Sequence, residues 1–374
     1  MLRYFSKQSR VYMIKTYKKH IDQNLQNFLI KIRKEYKFHL VHPILFESIK
    51  NFCSRKGKRI RPLLMILSYN GYTKKSGSSK NLYTASTCLE LLHNFMLIHD
   101  DIIDCSDLRR GKPAIHKILA KTIKTNNKKK LGTDLAIVAG DIVYSLAINA
   151  FLSINEDSQR KEQALKYFIQ TAAHTAIGEF IDIVHGFEKI NRIKEKDVFL
   201  NYSLKTARYT FEGPLVIGAL LAGAPKKDIK KLSRLGLLMG QAFQIQDDIL
   251  GIFASEKNIG KSILSDIAEF KKTILVCHAY RTLSGQKKKA FVKCFEKPKK
   301  TYSDLTTIKK IFIESGSLDY SLKKVATLIK ESKRIFTKLE LKPKYRQHIE
   351  DTLFKLFKQT DRIANMAHLK NQKS

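Results

Sequence analysis

Glycine and proline are scarce, 17 and 7 among 374 residues, a composition that disfavours a turn-rich β-fold and suits long helices. Cysteine is scarcer still. Cys53, Cys88, Cys105, Cys277 and Cys294 form no CxxC and no zinc-ligand spacing, so they read as reduced, buried thiols in a cytoplasmic setting. Acidic residues number 34 against 70 lysines and arginines, leaving a formal charge of +36. Such a surface suits polyanions, whether nucleic acid, anionic lipid head groups at a membrane or diphosphates, although solvated lysines account for part of it. Long apolar runs are missing as well: the best stretch, Leu135 to Ala150, is broken by Asp141 and falls short of a bilayer span. The basic N-terminus, whose first acid is Asp22, lacks the apolar stretch of a signal peptide. Organelle targeting by that segment is the alternative to a cytoplasmic location.

What is present is a core. Hydrophobic residues make up 43% and aromatics 10%, which excludes global disorder. Apolar residues recur at three and four over Leu82 to Asp107, Leu135 to Ser153, Gln163 to Val184 and Ile229 to Phe253, predicting helices. Polar interruptions at Thr73 to Lys80, Thr125 to Lys130, Ala224 to Asp228 and Ser284 to Lys289 predict connections too short for interdomain linkers. Phe211 to Ala224 is apolar on more than one face, as in the middle of a large bundle. The expectation is an all-α fold, one domain over residues 1–374, with an informative core at about 40–280 and basic ends.

The chemistry concentrates in a few segments. In Leu91 to His116, an ideal helix at 100° per residue places Asp104 about 40° from Asp100 and His93 within about 20° of each. Like charges on adjacent turns repel unless a cation lies between them. Solvated aspartates are common on helices, but this helix is otherwise apolar (Leu91, Leu92, Phe95, Leu97, Ile98, Ile102, Ile103), so its carboxylates are expected to line a cleft. Oxygen donors without cysteine favour magnesium over zinc. A second pair, Asp247 and Asp248, lies in another apolar helix. The basic counterparts are Gly57-Lys58-Arg59-Ile60-Arg61-Pro62, with Lys58 and Arg61 at i, i+3 and able to point the same way at a helix start, and Arg109-Arg110-Gly111. Arginine forks and lysine point charges both bind phosphate. Either cluster alone reads as a solvated face; with two aspartate pairs they describe a diphosphate cage.

In these motifs the chain resembles the trans-isoprenyl diphosphate synthases, the polyprenyl synthetase family, and is most like its short-chain geranylgeranyl diphosphate synthases. The resemblance runs in order from about Gly57 to Thr273: the GKRxRP block, Asp100 to Asp104 as DDxxD with RRGxP behind it, Ala139-Gly140-Asp141, Lys205-Thr206, and Phe243-Gln244 before Asp247-Asp248. It implies a helical bundle of isoprenoid synthase type around a central apolar cavity, working as a homodimer. It also implies that Lys58, Arg61, His93 and Arg110 hold the diphosphate of isopentenyl diphosphate. Arg109, Lys205, Thr206, Gln244, Lys261 and Lys271 would surround an allylic diphosphate. Asp100, Asp104 and Asp247 would be the principal ligands of about three magnesium ions, with Asp101 and Asp248 beside them in outer or hydrogen-bonding roles. Two departures stand out. The second motif continues Ile249-Leu250-Gly251 and lacks its third acid, and Gly178-Glu179-Phe180-Ile181-Asp182 has glutamate where many relatives have glutamine, which the sequence leaves unexplained.

The implied reaction ionises the allylic substrate, and isopentenyl diphosphate captures the cation between dry apolar walls. In the family the departing diphosphate takes the last proton, so no protein base is required. A terpene cyclase would not need GKRxRP. A non-catalytic partner subunit of the same fold tends to lose the aspartates kept here, and a nucleic-acid-binding protein explains neither aspartate motif. Product length in the family follows the residues five and four before the first motif, here Phe95 and Met96. One aromatic without an insertion resembles the archaeal pattern, implying mainly a twenty-carbon product, with fifteen carbons as the alternative. On an ideal helix Phe95 lies about 140° from Asp100, so its tunnel role comes from the resemblance; ordinary core packing is the other reading.

Overall fold

A computed structural model describes residues 7–74, 81–122, 124–253, 271–297 and 301–357. Apart from one hairpin of two-residue strands, the described residues form helices and their connections. They group into two compact units: Met1–Lys166 with Ile217–Ala224 and Lys342–His348, and Tyr167–Val216 with Pro225–Leu341 and Ile349–Ser374.

In the first unit, α1 (Lys7–Glu35), α2 (Pro43–Cys53) and α3 (Ile60–Tyr72) precede α4 (Leu82–Ile103), the hairpin β1 (Leu108–Arg109) and β2 (Lys112–Pro113), α5 (Ile115–Leu119) and α6 (Lys128–Leu152). Proline at the first position of α2 fits the helical φ, and His42 Nδ1 accepts from the Ile44 amide at 3.3 Å. α4 is the central element, packed on α6, α3 and α1. Leu82, Leu89, Leu91, Leu92 and Ile98 are fully buried there, each contributing about 1.5–3 kcal/mol by leaving water.

In the second unit, α7 (Ser158–Phe187, from Tyr167 on) and α8 (Glu195–Asn201) lead into a π-helix at Tyr202–Glu212, followed by α9 (Gly213–Ala222, as far as Val216) and α10 (Lys226–Phe253). α11 (Ile274–Thr282), α12 (Gly285–Phe295), α13 (Tyr302–Glu314), α14 (Ser317–Phe336) and α15 (Pro343–Phe354, from Ile349 on) complete the order. α10 packs on the π-helix and on α14. Gly240 makes the first of these contacts close, because a Cβ there would sit 2.2 Å from Ala207 Cα. Buried Asp228 fixes the start of α10, accepting from the Glu340 amide at 2.7 Å and from Lys231 at 3.0 Å. A capping box between Thr301 and Asp304 starts α13.

Several expectations need correction. Lys128–Lys130 form the first turn of α6, Lys226 opens α10, and Gly285–Lys289 belong to α12, because lysine is a good helix former and polarity alone does not end a helix. That extension makes α6 long and apolar enough to cross a bilayer, contrary to the sequence reading, while Ala136, Ala139, Val143, Leu146, Ala147 and Ala150 are buried within its own unit. Cys53 and Cys88 are buried as expected, but Cys105 is exposed.

Candidate functional site

The motif residues gather in two polar clusters, one in each unit. In the first, the helix of the GKRxRP block begins only at Ile60, and Arg59 caps it in the left-handed region at φ 53°. Lys58 therefore precedes the helix and stays exposed, so the expected i, i+3 pairing with Arg61 does not apply. The same backbone turn sends Arg59 inward. Its Nε donates to Asp22 at 2.7 Å, its Nη1 pairs with Glu90, and its Nη2 donates to the Arg55 carbonyl at 2.9 Å.

Glu90 is 2% exposed inside an apolar helix and also faces Arg110 at 3.6 Å. Arg55 holds the hairpin, donating to the carbonyls of Arg109 at 3.0 Å and Pro113 at 2.8 Å, while Arg110 returns a hydrogen bond to the Arg55 carbonyl at 3.1 Å. Sequence reasoning missed this Arg55–Arg59–Glu90 frame. Its one signal was an acid inside the run Leu89-Glu90-Leu91-Leu92, since a buried charge requires a partner.

His93 lies within the reach of this frame. Burial, reinforced by the Arg61, Arg110, Arg109 and Arg59 guanidiniums, holds its ring well below the usual histidine range, so at neutral pH it is an uncharged donor. Asp100 and Asp104 are half-buried at the end of α4, with Asp104 as the C-cap. Asp101, about 100° around the helix, is 0% exposed and accepts from Arg109 Nε at 2.7 Å, with a second contact from Nη2. Phe95 is half-buried, its ring 4.7 Å from His99 and 5.1 Å from Tyr144 between centroids, and Met96 is buried.

The second cluster forms where the π-helix lies on α7 and α10. A π-turn moves carbonyls out of register and is frequent at functional sites. Lys205 Nζ lies 2.7 Å from Glu179 and 2.7 Å from Asp182. Thr206 donates to Gln244 Oε1 at 2.6 Å, Gln244 Nε2 donates to Asp248 Oδ1 at 3.0 Å, and Tyr202 donates to Asp248 Oδ2 while accepting from the Ile274 amide at 3.0 Å. Burial pushes the Asp248 carboxyl up to about 7, against the opposing hydrogen bonds from Tyr202 and Gln244. Asp247 next to it is exposed, and Lys271 acts on both Asp182 and Asp248. Lys261 lies outside the described residues.

In each aspartate pair the two members differ in exposure: Asp101 is buried on Arg109 and Asp248 accepts from Gln244 and Tyr202, while Asp100 is half-buried and Asp247 exposed. Among the described residues no three histidine, cysteine or acidic side chains converge into a ready metal cage. Magnesium is commonly held by one or two carboxylates together with water and substrate phosphate, and the oxygen donors Asp100, Asp104 and Asp247 fit that pattern.

The family model described as Polyprenyl synthetase matches residues 42–312. A geranylgeranyl diphosphate synthase of Sulfolobus acidocaldarius is 34% identical over 281 residues, covering 75% of this chain and 79% of that protein. A geranylfarnesyl diphosphate synthase of Aeropyrum pernix is 30% identical over 286 residues, covering 76% and 84%. Among solved structures, a geranylgeranyl pyrophosphate synthetase from Pyrococcus horikoshii superposes with a TM-score of 0.79 at 27% identity, covering 94% of this chain and 98% of that one.

Proposed function

This chain belongs to the polyprenyl synthetase family and is a prenyl diphosphate synthase; from that premise we propose that it condenses isopentenyl diphosphate head-to-tail with an allylic diphosphate in a magnesium-dependent reaction, giving mainly geranylgeranyl diphosphate. The observation that supports the reading is that each aspartate pair has one more exposed member and a cation beside it, Arg109 on Asp101 and Lys271 near Asp248.

Asp100, Asp104 and Asp247 would hold the metal, and about three magnesium ions, when bound, would supply neutralising charge for the departing diphosphate. Asp101 fixes Arg109, and Asp248 fixes Gln244 and through it Thr206, so these donors meet the allylic diphosphate already oriented. Lys205, Lys261 and Lys271 add positive charge there. Lys58, Arg61, neutral His93 and Arg110 hold isopentenyl diphosphate, with Arg110 steadied by Glu90 and the Arg55 carbonyl. Phe95, packed on His99 and Tyr144, closes the apolar tunnel at twenty carbons.

A homodimer is part of the proposal. Ile169, Ile177, Phe180, Val184 and Phe187 make an exposed apolar stripe along α7, with Phe187 91% exposed, which suits a second copy as partner. Free thiols, with Cys53 pushed up to about 12 by burial, suit a reducing cytoplasm. The test is incubation of the purified chain with magnesium, labelled isopentenyl diphosphate and each allylic primer in turn. Twenty-carbon product is expected; fifteen or twenty-five carbons would overturn the length assignment, and no product with any primer would overturn the synthase reading.

A further inference from the structure

Glu179 sits on Lys205. The contact is built into the fold. Gly178 lets α7 touch the π-helix, since a Cβ there would lie 2.4 Å from the Lys205 backbone nitrogen, and that approach brings both Glu179 and Asp182 to the Lys205 ammonium. Asp182 is already accounted for. Lys205 and Lys271 hold its carboxyl below the usual range against burial, and Asn201 donates to it at 2.8 Å. Glu179 adds a second carboxylate, and with Asp182 it engages two of the three N–H groups a lysine carries.

We propose that Glu179 is a positioning residue that tunes the allylic pocket: it holds the Lys205 ammonium, lowers the pocket's affinity for any diphosphate, and so makes binding compete with a carboxylate and eases product release. The inference rests on Lys205 facing the allylic diphosphate, as read above. One carboxylate a side-chain length from a bound diphosphate, at an effective dielectric of about 20–80, is worth on the order of tenfold in affinity.

Glu179→Gln keeps the size and one acceptor for Lys205 while removing the charge, and Glu179→Asp keeps the charge. At saturating magnesium, Glu179→Gln should lower both the KM for the allylic substrate and the inhibition constant of inorganic diphosphate by about threefold to tenfold. The KM for isopentenyl diphosphate should stay fixed, and Glu179→Asp should bind diphosphate as wild type does. Unchanged constants in Glu179→Gln would make the residue mere packing and overturn the inference; so would weaker binding, which would mean that the carboxylate attracts cations for the substrate. Lys205→Met separates the two levels. If it leaves the allylic constants untouched, the reading of Lys205 itself fails; if it impairs them while Glu179→Gln does nothing, only the inference falls.

Discussion

Adjacent residues Asp100 and Asp101 should give opposite phenotypes on substitution. Asp101 is 0% exposed and takes two contacts from Arg109, whose own side chain is only 13% exposed. Removing the carboxylate leaves a mostly buried guanidinium without its hydrogen-bonded partner, with only the charges of Asp100 and Asp104 near it. Breaking one side of such a buried pair costs about 3–5 kcal/mol. The Arg109 carbonyl also receives Arg55 at 3.0 Å, so the hairpin loosens with it. For a unit of this size each kcal/mol moves the melting point by roughly 2–4 °C, so Asp101→Ala should melt roughly 10 °C lower. Asp100→Ala removes a half-buried charge from an acid-rich helix end and should cost less than about 1 kcal/mol. Asp101→Asn, which still accepts a hydrogen bond, should fall between them. Calorimetry and urea titration of the metal-free protein give the comparison. Asp101→Ala within about 1 kcal/mol of wild type would refute the assignment of its carboxylate to Arg109.

Neutralising Lys58 or Arg61 should raise chiefly the KM for isopentenyl diphosphate, and neutralising Lys205 or Lys261 chiefly the allylic constants and kcat; initial-rate kinetics with four matching patterns would contradict separate diphosphate sites. Because the Asp248 carboxyl is raised to about 7 from 3.8, its protonated form is favoured by folding, so the metal-free protein should lose stability as pH rises from about 4 through about 7. Asp248→Asn should flatten that slope in denaturation curves measured across the range, and an unaltered slope would count against it. Phe95→Ala should shift products beyond twenty carbons in a chromatographic assay, whereas unchanged length with lowered stability would make Phe95 core packing only.

The helices that carry chemistry were legible because apolar residues at three and four mark α4, α7 and α10 whatever surrounds them. The polar choices within them were less so. Periodicity put His93, Asp100 and Asp104 on one stripe, but nothing local says that Arg59 takes a left-handed turn and points inward to Glu90 while Lys58 remains outside. That choice is made by tertiary partners, Asp22 on α1 and Glu90 on α4. The π-helix was invisible for a similar reason. Its sequence, Tyr202 to Glu212, differs from an α-helix only in which carbonyl each amide selects, and close packing at Gly178 and Gly240 accompanies that selection. Glu179 could be seen as a departure in sequence, yet its meaning required seeing Lys205 at its side.

The most direct measurement is turnover of labelled isopentenyl diphosphate with an allylic primer, in wild type and in Asp100→Ala and Asp247→Ala, with magnesium saturating or chelated. Prenyl products should form only with magnesium, and each substitution should reduce the rate by more than about tenfold, over roughly 1.4 kcal/mol of barrier, while the proteins stay folded. If either variant retained more than about a tenth of the wild-type rate, or if chelation left turnover intact, the assignment of these carboxylates to the metal would be wrong.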